Sequence, residues 1–220
     1  MKPISTENNF VYLTVALVFL LFAGALVDQY ASSLGQRLVQ AATVLTLAIG
    51  VFSLKTTKFW YRTGIGMVVA IILVVLAGVM LDLAGLDYLH LLILLCFFIW
   101  ATWLAARQVL FTGIIDGNKI VGAVCIYLLL GLIWTLLYLM IAEATPNAFN
   151  GLTQAPWYDN FPAVAYYSYV TLTTLGYGDI SPIQPVARFL VYMEAVVGVF
   201  YMAILVASLI GVGINESKKH

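Results

Sequence analysis

The chain has 220 residues, of which 63% are hydrophobic and 9% charged. Soluble domains carry roughly 25% charged residues, so this composition places the chain in a membrane rather than in water. The formal net charge is zero, which argues against a nucleic-acid partner.

A helix needs about 20 apolar residues to cross a bilayer. In chain order the apolar runs predict helices over 10–27, 36–54, 63–83, 88–111, 119–143 and 186–213. The first ends near "FAGA" but is longer than the apolar part of a leader, so it reads as an anchor and not as a cleaved signal. The breaks fall at 28–37, 55–62, 82–87 and 112–119. Cys96 and Cys125 sit inside apolar runs and read as small hydrophobes. His90 and His220 are isolated and suggest no chemistry, and Trp60, Trp100, Trp103, Trp134 and Trp157 read as anchors at helix ends or lipid contacts. Residues 144–161 hold Pro146, Asn147, Asn150, Gly151, Pro156 and Asp159 and predict an irregular loop outside the hydrocarbon.

The stretch "PAVAYYSYVTLT", 162–173, is too short to span. Pro162 suits the first turn of a helix. A helix that enters the membrane partway and stops at the glycines after it is re-entrant. Non-helical backbone at that depth is tolerated only where protein buries it or where water and ions line it. The segment therefore predicts a pore or a binding site.

Basic residues set the orientation. With the N-terminus inside, Lys2, Lys55, Lys58, Arg62, Arg107, Lys119, Lys218 and Lys219 fall on the cytoplasmic side, and only Arg37 and Arg188 fall outside. Asp28, Asp82, Asp87, Glu143, Asp159 and Asp179 lie on the outer side, so the glycine segment opens outward.

That segment reads "TTLGYGD" at 173–179 and resembles the potassium-channel signature. The resemblance covers roughly 119–213 and implies an outer helix (119–143), a pore helix (162–173), a selectivity filter (174–178) and an inner helix (186–213). Selection by rings of main-chain carbonyls is an established property of that family. Carried onto this chain, it implies K+ held by carbonyls of Thr174, Leu175, Gly176 and Tyr177, with the Thr174 hydroxyl as an inner ring. Gly176 and Gly178 supply the positive φ that such alternation requires. One chain closes only part of a ring, so a symmetric homotetramer is implied. The pore-helix C-terminus points partial negative charge at the cavity.

The same resemblance assigns supporting residues. Thr171 and Thr173 are expected to bond around the filter, and Asp179 to sit at its outer mouth. Tyr166, Tyr167, Tyr169 and Tyr177 form either an aromatic cuff or an interfacial belt. Where some members place a pore-helix glutamate, this chain has Val170, so the outer support of the filter differs. Gly198 falls at the family's hinge, although a small residue there also suits close helix packing. Val199, Met202, Val206 and Ile210 share a cavity-facing stripe that narrows hydrophobically. Glu194, an acid inside the apolar run, is expected to face the pore helix and bond Thr171 or Thr173. Burial there favours its neutral form.

The expected architecture is an all-α membrane protein with six transmembrane helices and one re-entrant pore helix. It divides into a four-helix bundle (1–112), a pore module (113–215) and a short cytoplasmic tail (216–220). The fourth helix, "LLILLCFFIWATWLAARQVL", carries only Arg107, so no voltage sensor of the stacked-charge kind is expected. "NESKKH" leaves no room for a cytoplasmic regulatory domain. The sequence contains no phosphate-binding loop, catalytic dyad or metal-ligand cluster, so a passive channel for K+ is expected, without enzymatic activity or cofactor. The location implied is a plasma membrane or bacterial inner membrane. The alternatives are a weakly selective cation channel, a subunit of a potassium transporter, or a non-conducting structural subunit.

Overall fold

The computed structural model describes residues 9–30, 35–54, 58–81, 85–110 and 117–217, with side chains described over 9–26, 41–54, 58–78, 85–109 and 117–207. Of the residues named above, Lys2, Lys55, Asp82, Lys218, Lys219 and His220 lie outside the described residues, as do the side chains of Asp28, Arg37 and Ile210.

The described residues form seven helices: α1 (Asn9–Tyr30), α2 (Gly35–Ser53), α3 (Lys58–Leu81), α4 (Gly85–Leu110), α5 (Gly117–Ala144), α6 (Trp157–Leu172) and α7 (Pro185–Ser217). Two short strands, β1 (Phe149–Asn150) and β2 (Ser181–Pro182), pair antiparallel. Helices α1, α3, α4, α5 and α7 are long and apolar enough to cross a bilayer, while in α2 the described apolar stretch is the shorter Ala41–Ser53. The chain is an all-α integral membrane protein.

Helix α5 is apolar all round and lies at the centre. It buries Ile126, Leu129, Leu132, Leu136 and Leu139, and packs against α1, α4, α6 and α7. The core continues into the N-terminal helices through Leu13, Leu17 and Leu20 of α1 and Leu91, Phe97 and Phe98 of α4. Polar links fix which helix ends meet. At one end Asn9 Nδ2 donates to Gln108 Oε1 at 3.3 Å and Asn118 Nδ2 donates to Asn9 Oδ1 at 2.8 Å, joining the start of α1, the end of α4 and the start of α5. At the other end Trp157 Nε1 donates to Asp87 Oδ1 at 3.0 Å, joining the starts of α4 and α6. Helix α4 therefore runs the length of the bundle between these two joints.

Three boundaries differ from expectation by four residues or more. Helix α3 begins at Lys58 and not at 63, because "KFWYR" contains no breaker. Helix α7 runs to Ser217 and so takes in the first two residues of the expected tail. Helix α6 begins at Trp157, so Pro162 lies inside it rather than in its first turn, and the end of the expected irregular loop is helical. Asn160 explains the earlier start. Its Nδ2 donates to the carbonyls of Thr153 and Ala155, both at 3.0 Å, and folds the incoming chain back on the first turn. The loop also contains β1, which ties it to the segment after the glycines.

Candidate functional site

Helix α6 ends on a hydrogen-bonded turn that passes directly into 174–178. Thr174 N donates to Thr171 O at 2.9 Å, and Leu175 N and Gly176 N both donate to Val170 O, at 2.9 and 3.3 Å. The last carbonyls of the helix are thus partly satisfied by the segment that follows. The Leu172 carbonyl accepts from Tyr127 Oη at 3.3 Å.

Beyond this turn the backbone alternates in hand. Thr174, Gly176 and Gly178 have φ of 62°, 58° and 83°. The two glycines were expected there, but Thr174 was not. A β-branched residue at positive φ is uncommon and costs about 1–3 kcal/mol, so the surrounding structure imposes it. Leu175 is 59% and Tyr177 68% exposed. Behind the segment lies a cavity of about 240 Å³ lined in part by Val170, Thr171, Thr174 and Val191. Val170 thus presents an apolar wall where some family members place an acid.

Contacts from α5, α4 and α7 hold α6 in position, beside its packing on α1 and α2. From α5, Ser168 Oγ lies 2.8 Å from the Gly131 carbonyl, and Tyr169 Oη donates to Leu128 O at 2.6 Å with its ring over Gly131. From α4, the His90 ring stacks on Trp157 at 4.9 Å. From α7, Gly198 is so close that a Cβ there would meet the Leu172 carbonyl oxygen at 2.1 Å. Trp157, expected as an anchor at a helix end or lipid contact, is 1% exposed. His90 is likewise buried rather than incidental.

Glu194 is 0% exposed and faces α6 as expected, but its partners differ. Its Oε1 lies 2.5 Å from Ser168 Oγ and its Oε2 lies 2.5 Å from Tyr138 Oη, so neither Thr171 nor Thr173 is the partner. Helical geometry explains the shift. Ser168 lies one turn before those threonines on the face toward α5, and the Thr173 hydroxyl is turned back onto the Tyr169 carbonyl at 2.6 Å.

The four tyrosines do not form one cluster in a single chain. Tyr167 packs on Tyr138 and Phe149, Tyr169 reaches α5, and Tyr166 and Tyr177 are exposed. The neighbouring Asp179 carboxylate raises the Tyr166 phenol above its ordinary range. Asp179 also packs on Gly151 (φ 81°), where a Cβ would meet the Asp179 carbonyl oxygen at 2.3 Å. Gly151 lies in the loop as expected, but no local pattern in the sequence marks this contact. Val199, Met202 and Val206 are exposed on α7, and so are Val196, Phe200 and Ile204, so exposure does not single out the expected stripe. The Arg107 guanidinium sits 5.6 Å from the centroid of the Trp103 ring, one turn away on the same helix.

Residues 122–214 match a protein-family model described as "Ion channel". No curated protein and no solved structure matches the chain. The matched stretch begins in α5, contains α6 and the alternating segment, and ends in α7. Over residues 122–214 the chain is thus similar to ion channels.

Proposed function

We propose that four copies of the chain form a K+-selective channel whose filter is residues 174–178. The observation that carries this reading is the alternation of positive φ at Thr174, Gly176 and Gly178. Alternating hand turns successive carbonyls to one side, which is what replacing an ion's hydration shell requires. Carbonyls of Thr174, Leu175, Gly176 and Tyr177 would hold the ion. Their strength suits a monovalent cation, since they carry partial charge only.

The tetramer reading is supported by what a single chain leaves open. Leu175 and Tyr177 are exposed together with Val186, Phe189, Tyr192 and Val196 of α7. Apolar side chains alone would suit lipid, but the non-helical backbone of 174–178 beside them must be buried by protein or lined by water and ions, which further copies of the chain would provide. In this reading six helices span, both termini are cytoplasmic, and α1–α4 surround the pore module of their own chain without sensing voltage through stacked charges. Val199, Met202, Val206 and Ile210 line the cavity, with Gly198 as the point about which α7 bends or against which α6 packs.

The test is purified protein in liposomes. K+ flux that barium blocks, with a reversal potential that follows K+ over Na+, is the expected result. Flux without discrimination between the two ions would leave a weakly selective channel, and no flux from a correctly assembled oligomer would refute the reading.

A further inference from the structure

Proton counting decides the state of Glu194. Its Oε2 lies 2.5 Å from Tyr138 Oη, its Oε1 lies 2.5 Å from Ser168 Oγ, and Ser168 Oγ lies 2.8 Å from the Gly131 carbonyl oxygen. These are three oxygen–oxygen contacts at hydrogen-bond distance, and each requires a hydrogen between the atoms. The Gly131 carbonyl has none to give. Tyr138 and Ser168 supply one each. If Ser168 donates to Gly131, nothing remains for the contact with Glu194 unless the carboxyl group brings its own.

The surroundings agree. Glu194 is 0% exposed. The titratable groups that face it are phenols: Tyr127 and Tyr138 from α5, and Tyr167 and Tyr169 from α6. No lysine, arginine or histidine among the described residues pairs with it. A buried carboxylate without a cation and with too few donors is costly, whereas the neutral acid satisfies every contact.

We infer that Glu194 is a neutral carboxylic acid that donates to Ser168 Oγ, so that one relay (Tyr138 to Glu194 to Ser168 to the Gly131 carbonyl) fastens α7 to α6 and α5. Glu194 is then a positioning residue. It acts on the ion path through Ser168, about one turn before the end of the helix that leads into 174–178. That consequence rests on the channel reading, while the protonation state does not. Loss of the proton would remove the donor to Ser168 and place an unpaired charge between three helices, so the joint depends on the proton being kept.

Infrared difference spectra of wild type against Glu194→Gln in lipid at neutral pH test the proton directly. A protonated-carboxyl stretch that shifts in D2O and is missing from the variant is expected, and carboxylate bands in its place would overturn the inference. Ser168→Ala removes the proton acceptor and is expected to move that band, so an unmoved band also counts against the relay. Liposome K+ flux tests the consequence. Glutamine keeps a donor and an acceptor, so Glu194→Gln stays within about two-fold of wild type, whereas Glu194→Leu loses about ten-fold or more by leaving Tyr138 and Ser168 without their partner. Equal impairment of the two variants, or none in Glu194→Leu, would refute the positioning role. If wild type itself passes no K+, the channel reading falls, and the infrared measurement still decides the proton.

Discussion

Replacing Gly198 with alanine separates two roles that the sequence leaves open. A Cβ at this position would lie 2.1 Å from the Leu172 carbonyl oxygen, 3.0 Å from its carbonyl carbon and 3.1 Å from Leu172 Cδ1. A relaxed carbon–oxygen contact is about 3.3 Å, so α7 and the end of α6 must separate by roughly 1.2 Å. Side-chain rotation cannot provide this, because the nearest obstacle is backbone. Overpacking of this kind costs about 1–3 kcal/mol per chain. The displaced atom is the carbonyl two residues before Thr174, and it also carries the hydrogen bond from Tyr127 Oη. Gly198→Ala is therefore expected to lower the thermal stability of the purified oligomer and its K+ flux together. Gly66→Ala is the control: nothing lies within 4 Å of a Cβ there, so the change is expected to stabilise α3 by about 0.5–1 kcal/mol or leave it unchanged. The assay is thermal unfolding in detergent followed by liposome flux. A Gly198→Ala protein as stable as wild type but altered only in opening would refute the packing argument and leave the hinge.

Two further perturbations probe the supports of α6 and the outer mouth. Trp157→Phe keeps an aromatic ring against His90 but removes the Nε1–H donor to Asp87, and is expected to cost about 1 kcal/mol in thermal or denaturant stability; an unchanged protein would show that α4 does not hold the start of α6 through this bond. Gly151→Ala combines a φ of 81° with a Cβ 2.3 Å from the Asp179 carbonyl, and is expected to destabilise by about 1–3 kcal/mol and to disturb ion selectivity at the outer mouth. Reversal potentials equal to wild type would show that β1 and its loop do not support the mouth.

Five of the six expected membrane-crossing segments and the glycine segment were legible in the chain because both are local properties. The length of an apolar run against bilayer thickness needs no knowledge of neighbours, and neither does the positive φ that Gly176 and Gly178 permit. What depended on rotation about a helix axis was not legible. Glu194 was recognisable as a buried acid, but whether it met Ser168 or the threonines one turn later depended on how α7 packs on α6. The bond between Trp157 and Asp87 joins residues 70 positions apart, and no local pattern marks either one. Thr174 takes positive φ against its own preference, because amides on both sides of it are tied to the end of α6. Apolar length and backbone permissiveness were thus written in the sequence, whereas every contact that positions α6 came from tertiary packing, because helices of nearly uniform hydrophobicity carry little information about which face meets which neighbour.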